Sequence, residues 1–407
     1  MTNTSTNRSG PAAHTVGLDI GGTKILGALL DAEGGLVATT RLATELGPDG
    51  VVRSAARAVR DVVDAAGLNL SVVGGIGLGI PGIVDARAGT VKHAVNLGVG
   101  DELPLAERLS TALGGITVVV ENDLNVAAVG AAHLLERGGG ADGTPGTGTS
   151  ASAKHEDLAF LALGTGVASG LVMDGRLRRG VSGAAGEIGH VPVDPAGPDC
   201  SCGQRGCIET FVSGTALAAA WPSRHGRPSP VELFEAADAG DAAAVRVRKA
   251  FADAVAAAVR LLVLTVDVHY VVLGGGVAQL GRPLLEVVRD SLREQAEASP
   301  FLASLGLPAR VTLAPMDVPV AAVGAAVLGR RDERDGTGGV RRARPAASAG
   351  SPERPVSRPG DGPGTADTGT GPDEDGRPEA DTRTEAPAGA DTALAGAETE
   401  GTLTWRS

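Results

Sequence analysis

Aromatic side chains are scarce in this chain of 407 residues, which holds two tryptophans, one tyrosine and five phenylalanines. Its cores must therefore be built from Val, Leu, Ile and Ala. Basic charge is also short, with 36 Lys and Arg against 48 Asp and Glu and a net charge of −12. That balance argues against a nucleic-acid partner, which calls for a basic patch. No apolar run reaches the ~18–20 residues of a membrane span. Residues 1–14 are polar, with Arg8 their one charged side chain, and lack the apolar stretch of a signal peptide. The chain is therefore expected in the cytoplasm, with no membrane partner. Cysteine is rare too: all three lie between Cys200 and Cys207. An odd, tight cluster in a reducing compartment reads as metal binding and not as a disulfide framework. Glycine, by contrast, is abundant at 61 residues, so any single Gly-rich loop is weak evidence.

Patterning divides the chain into parts. Residues 1–14 are expected to be a disordered leader, 15–137 an N-terminal α/β domain, and 138–156 a flexible insert rich in Gly, Ser and Thr. Residues 157–330 form a C-terminal α/β domain whose last helix can pack back on the first. Residues 331–407 are Gly, Pro, Ala, Thr, Asp and Arg with almost no large apolar side chain. Such a tail cannot bury enough surface to offset its chain entropy and is expected to be disordered.

The first domain reads as strands at 15–19, 24–30 and 36–42, and an amphipathic helix over 51–66. A Gly-rich strand over 71–80, a helix over 105–113, a strand at 116–120 and a helix to 134 follow. The second restarts with a strand at 158–163 that meets glycines, then a strand at 171–173. Helices including 242–265, strands at 270–273 and 311–313, and a helix over 320–328 complete it. Two halves that open alike suggest a duplicated α/β unit, with ligands in the cleft at the carboxyl ends of strands.

Four Gly- or acid-bearing turns carry candidate chemistry. In Asp19-Ile20-Gly21-Gly22-Thr23-Lys24, backbone N–H groups can approach a phosphate, Thr23 adds a hydroxyl, and Asp19 suits Mg²⁺ held through water. A tight hairpin with an Asx-turn is the competing reading. Leu163-Gly164-Thr165-Gly166 opens the second half in the same way, so two turns can grip a triphosphate across a cleft. In Glu121-Asn122-Asp123-Leu124-Asn125, between a strand and a helix, Asn or Asp is ordinarily an N-cap. With two candidates, one caps while Asp123 can accept a proton from a substrate hydroxyl. Leu273-Gly274-Gly275-Gly276-Val277 runs a strand into three glycines and a helix, an opening for a nucleotide or phosphate.

The cysteine cluster is the most specific feature. Cys200, Cys202 and Cys207 lie in one short loop with Gly203 and Gly206 to turn it, and His190 ten residues upstream can complete a Cys₃His site. That donor set is a closed structural zinc pattern, with no open position for catalysis. Glu187 and Glu209 flank it, and folding the loop around the metal would bring both carboxylates together beside Asn122 and Asp123. Such a pocket, rich in hydroxyl acceptors, suits a polyol.

Together these segments resemble the ROK family of bacterial sugar kinases and sugar-responsive repressors over residues 15–330. The carriers are DIGGTK at 19–24, GIPG at 79–82, END at 121–123, LGTG at 163–166, GEIGH at 186–190, CSCGQRGCIE at 200–209 and LGGGV at 273–277. The resemblance, closest to the family's glucokinases, implies an actin-like ATPase (ribonuclease H-like) fold, with two α/β domains closing on ATP, Mg²⁺ and a hexose. It implies Asp123 as the base at the sugar 6-hydroxyl. Asn122, Asp123, Glu187, His190 and Glu209 would bind sugar hydroxyls, and Asn96 lies in a segment that borders the sugar. His190, Cys200, Cys202 and Cys207 match zinc ligands. Asp19, Gly21, Gly22, Thr23, Lys24, Gly164, Thr165 and Gly166 match the phosphate segments, with Gly274, Gly275 and Gly276 beside the nucleotide. A homodimer or homotetramer is implied as well.

The expected reaction is thus ATP-dependent conversion of glucose to glucose 6-phosphate, the entry step of glycolysis. Two departures bear on it. The second phosphate segment continues Val167-Ala168-Ser169-Gly170 where relatives carry more glycine, and Leu97-Gly98-Val99-Gly100 follows Asn96 where the glucokinases often place an aromatic. Mannose, fructose, allose or an N-acetylated amino sugar are competing substrates. A sugar-sensing repressor is the alternative class; fourteen residues before the first strand are too few for its helix-turn-helix domain, which leaves a non-catalytic sugar sensor of the same family as the alternative.

Overall fold

Even-numbered residues Val16, Leu18 and Ile20, with Ile76, Leu78, Ile80, Val118 and Val120, turn to one face of a sheet and are buried there. The period of two puts Gly17, Asp19, Gly75, Gly77, Gly79 and Glu121 on the other face. The chain therefore builds a sheet that is covered on both sides.

The computed structural model describes residues 14–138 and 157–330. The expected leader, insert and tail lie outside the described residues, apart from His14, which begins the first strand, and Gly138. Strand β1 (His14–Ile20) pairs antiparallel with β2 (Lys24–Leu30), and β2 with β3 (Leu36–Ala43). After helix α1 (Pro48–Ala65) comes β4 (Val73–Ile80), parallel to β1. A hairpin of β5 (Ile83–Asp85) and β6 (Thr90–Lys92), then α2 (Leu105–Ala112), lead to β7 (Val118–Asn122), parallel to β4. Helix α3 (Asp123–Glu136) follows.

The second sheet has β8 (Leu158–Leu163), β9 (Val167–Met173) and β10 (Arg176–Leu177) in antiparallel succession. Helices α4 (Glu209–Val212), α5 (Gly214–Ala220), α6 (Ser229–Asp238) and α7 (Ala242–Val266) precede β11 (Tyr270–Gly274). Then come α8 (Arg282–Glu297), α9 (Pro300–Ser304), α10 (Leu307–Arg310), β12 (Val311–Leu313) and α11 (Val320–Gly329). The strand orders, β3-β2-β1-β4-β7 and β10-β9-β8-β11-β12, repeat one topology, as two halves that open alike suggest.

Local chemistry explains the elements. Helix α1 starts with Pro48, buries Val51, Val52, Ala55, Val59, Val62 and Val63 along one face, and ends where Gly67 takes a left-handed conformation. Gly67 N–H and Leu68 N–H close back on the carbonyls of Asp64 and Val63, a Schellman cap. Helix α7 is capped by Asp241, whose side chain accepts from Ala243 N at 2.8 Å and Ala244 N at 3.0 Å.

Several elements differ from the sequence pattern, among them β7, which runs to Asn122 and not to 120, and the short β10, which was not expected. Hairpin β5–β6 was not expected, being only three residues a side with Ile83 exposed. Strand β9 begins at Val167, because the small residues Val-Ala-Ser-Gly pair with Leu163 to Phe160 of β8. After Gly276 the chain makes a 3₁₀ turn, Val277–Leu280, and the helix starts only at Arg282.

Helix α11, last in sequence, lies on the first sheet. A Cβ on Gly17 would stand 1.9 Å from the Ala322 carbonyl oxygen, and one on Gly77 1.8 Å from that of Ala325. Only glycine lets the helix backbone come this close. Helix α3 packs on α11 and also on β8 and β9 of the second sheet, where Gly170 sits 2.7 Å by the same measure from the Leu124 carbonyl. The two helices thus link the sheets. Among the described residues no helix is long and apolar enough to cross a membrane.

Candidate active site

The parallel register sets Asp19 beside Gly79, and Gly79 beside Glu121, at the carboxyl ends of β1, β4 and β7. Gly79 has no side chain to hold α3 away: a Cβ there would meet Val126 at 2.3 Å and the Asp123 Cα at 3.5 Å. The first turn of α3 is thereby brought over the strand ends. Asn122 is its cap, its Oδ1 accepting from Leu124 N at 3.0 Å and Asn125 N at 3.4 Å. Asp123 is thus spared as the principal cap, although its Oδ1 also accepts from Leu124 N at 2.9 Å.

Two carboxyls share this place. Burial pushes Asp19 up to about 6, Asp123's charge adds to the shift, and Lys24 opposes it. Burial raises Asp123 as well, partly offset by hydrogen bonds from the Leu124 amide and the Asn122 side chain. A buried carboxyl whose pKa is raised despite Lys24 is a ready ligand for a cation, which fits the Mg²⁺ expectation for Asp19.

The turn beyond Asp19 is stiff. Gly21 N donates to the Lys24 carbonyl at 2.9 Å, and Thr44 Oγ1 donates to the Gly21 carbonyl at 2.6 Å. Asn96 lies against it, its carbonyl oxygen 2.8 Å from where a Gly22 Cβ would stand. Thr23 and Lys24 are exposed.

The second turn is built like the first but gripped differently. Gly164 N donates to Gly166 O at 3.0 Å, and Gly214 N donates to Gly164 O at 2.7 Å. Thr215 Oγ1 donates to the Thr165 carbonyl at 2.9 Å. Gly275, at φ 86°, packs on Leu163, so the three-glycine segment adjoins this turn. Glu209 Oε2 accepts from Val167 N at 2.9 Å, and a Cβ on Gly166 would come within 2.5 Å of that oxygen.

The four expected metal ligands converge. One donor atom each from His190, Cys200, Cys202 and Cys207 lies within 4.8 Å of the others. Cys200 Sγ stands 3.7 Å from His190 Nδ1, and Cys202 Sγ 3.8 Å from Cys207 Sγ. Tetrahedral zinc with Zn–S bonds of about 2.3 Å requires sulfur separations of about 3.8 Å. Burial and the neighbouring thiols push Cys207 up to about 12, while hydrogen bonds from Gln204 hold Cys202 down at about 6, so all three become thiolates together only with a cation among them. The donor set therefore fits zinc. Glu209 Oε1 lies 4.0 Å from Cys200 Sγ, which ties the metal loop to the second turn.

Of the sugar-binding candidates, Asn122, Asp123 and Asn96 thus border the first sheet, and His190 and Glu209 the metal loop. Glu187 is exposed at the start of the 3₁₀ turn Ile188–His190. Its neighbours Gly186 and Gly189 lie directly on the Ser169 and Val167 carbonyls of β9. Two features escaped the sequence. Ser213-Gly214-Thr215 meets the second turn, and Arg179 forms an ion pair with the buried Glu121. Neither stands in a motif, since each pairing spans tens of residues.

A family model described as ROK family matches residues 15–331. A glucokinase of Halalkalibacterium halodurans is 33% identical over 299 residues, covering 69% of this chain and 86% of its own length. An N-acetylmannosamine kinase of Citrobacter koseri is 31% identical, covering 69% and 89%. The crystal structure of a ROK family glucokinase from Streptomyces griseus in complex with glucose and AMPPNP is 32% identical with a TM-score of 0.60, covering 78% of this chain and 99% of that one.

Proposed function

The chain belongs to the ROK family and has the actin-like ATPase fold, and from that premise we propose that it transfers the γ-phosphoryl group of ATP to the 6-hydroxyl of a hexose, with glucose favoured. The observation that supports this most is Asp123, a carboxylate whose pKa is raised by burial, at the first turn of a helix over the strand ends. The raised pKa makes it a better proton acceptor than a free carboxylate, and its place in the first turn of α3 holds it at the strand ends. Glucokinases among the relatives favour glucose. The N-acetylmannosamine kinase at similar identity makes an N-acetylhexosamine the second candidate.

In this reading the sugar lies between Asn96, Asn122 and Asp123 on one side and Glu187, His190 and Glu209 on the other. Asp123 accepts the proton of the 6-hydroxyl as that oxygen bonds to the γ-phosphorus. The bond from phosphorus to the bridging oxygen of ADP breaks in line. Backbone amides at Gly21, Gly22, Thr23, Gly164, Thr165 and Gly166 orient the phosphates, with Lys24 as a point charge. Gly274, Gly275 and Gly276 leave room for the nucleotide. Asp19 would hold Mg²⁺, which when bound neutralises phosphate charge. His190, Cys200, Cys202 and Cys207 would hold structural zinc, which when bound fixes the loop carrying His190 and Glu209. Assembly as a dimer or tetramer belongs to the same reading, and sedimentation tests it.

The test is ADP release from Mg-ATP against a panel of hexoses and N-acetylhexosamines, with zinc assayed on the same sample. Turnover with glucose and one zinc per chain is expected. Turnover on another sugar moves the substrate and keeps the mechanism. Sugar binding without turnover on any of them overturns the kinase reading in favour of a sensor.

A further inference from the structure

Glu121 is 3% exposed, and a carboxylate so buried must be paired. Its Oε1 accepts from Asn122 N at 3.0 Å and Asn125 Nδ2 at 2.8 Å, both at the start of α3. Its Oε2 takes the guanidinium of Arg179, whose Nε and Nη2 each stand at 2.6 Å. Arg179 follows β10 and opens the loop that leads to Glu187 and His190. Residues 180–184 are exposed, Val181 completely, so apolar packing does little to hold that loop. Its far end is held by Gly189 on the Val167 carbonyl and by Gln204 Nε2, which donates to the His190 carbonyl at 3.0 Å. Arg179 grips Glu121, the Arg179 carbonyl accepts from Ala185 N at 3.2 Å, and the Gly186 carbonyl accepts from Ser169 N at 2.7 Å.

We propose that Arg179 is a positioning residue, which through Glu121 locks the loop bearing Glu187 and His190 against the helix turn bearing Asn122 and Asp123. This rests on the kinase reading for its consequence: the groups that hold the sugar and the base that activates it come from different sheets. Both also pack on β9, and the Arg179–Glu121 ion pair is the direct side-chain tie between them. The phosphate turns are not touched by it, so its loss falls on the sugar and on turnover, not on ATP.

Arg179→Met alone strands a buried charge and can fail to fold. Arg179→Met combined with Glu121→Gln removes the charge and keeps the oxygen that Asn122 and Asn125 use. For the double variant we expect near wild-type thermal stability. The sugar KM should rise about tenfold, the loss of roughly one well-placed hydrogen bond. Turnover should fall by ~10²-fold, the effect of misplacing reacting groups by about 1 Å. The ATP KM should stay within about twofold. Arg179→Lys, which keeps one donor to Glu121, should recover part of both losses. Amide hydrogen exchange in the ligand-free protein should accelerate over residues 180–190 and nowhere else. A double variant matching wild type in sugar KM, turnover and exchange would overturn the proposal, leaving Arg179 as a neutraliser of Glu121 only. If the wild-type protein turns over no sugar, the kinase reading fails instead. The exchange comparison then decides alone: acceleration confined to 180–190 supports the lock, and an unchanged profile overturns it.

Discussion

Replacing Asp19 with Asn should make the ligand-free protein more stable at neutral pH while removing the carboxylate proposed to hold Mg²⁺. Folding raises the Asp19 carboxyl from 3.8 to about 6, chiefly through burial. A carboxyl raised in this way holds its proton more tightly folded than unfolded. Its contribution to stability is complete below pH 3.8 and is lost as pH climbs through about 6. Two units at 1.36 kcal/mol each amount to about 3 kcal/mol of strain in the ionised site above pH 7. Asparagine has the same shape and no charge, so it avoids that cost. With about 300 described residues, unfolding entropy near 2.1 cal/mol/K per residue converts about 3 kcal/mol into a rise of about 5 °C. The assay is thermal unfolding of wild type and Asp19→Asn from pH 4 to pH 8, without Mg²⁺ or nucleotide. The gap should open between pH 4 and pH 7. Adding Mg-ATP and sugar should shrink it, because in the proposed site the cation is held by the wild-type Asp19 carboxylate. A variant no more stable than wild type at pH 8, or a gap equal at pH 4 and pH 8, would refute the reasoning.

Two further outcomes are expected. Gly77→Ala puts a methyl 1.8 Å from the Ala325 carbonyl, in backbone that cannot swing aside, and should cost at least ~1–3 kcal/mol in denaturant unfolding; an alanine tolerated there contradicts the close approach of α11. Cys202→Ser should leave the protein without zinc and raise the sugar KM, read by metal analysis and kinetics on one sample. A zinc-free variant of full activity would show that the metal loop does not shape the sugar site.

Much of this architecture was legible in the residues because most strands and helices of each half carry their own apolar period. Val16, Leu18 and Ile20, or Val59, Val62 and Val63, announce their elements by local period alone. The Cys–His cluster was legible for a similar reason: three cysteines in eight residues need no distant partner to be noticed. What stayed hidden depends on distant parts of the chain. Gly17 and Gly77 look like background in a glycine-rich sequence, and only α11, some 250–300 residues on, reveals why no side chain fits there. Arg179 lies 58 residues from Glu121 and in no motif. Glu209 was read as a hydroxyl acceptor, yet it also holds the Val167 amide beside the second turn, a bond that no spacing rule foretells. Hairpin β5–β6 was missed because three-residue strands carry too few alternations to register.

The central claim, that Asp123 is the base in phosphoryl transfer to a sugar, is tested most directly by Asp123→Asn, measured with the best acceptor from the sugar panel. Sugar phosphate formation and calorimetric sugar binding are followed on the same preparations. The account predicts a folded variant that binds sugar within a few-fold of wild type and has lost at least ~10²-fold in turnover. A variant that binds sugar and retains most of the wild-type turnover would contradict it.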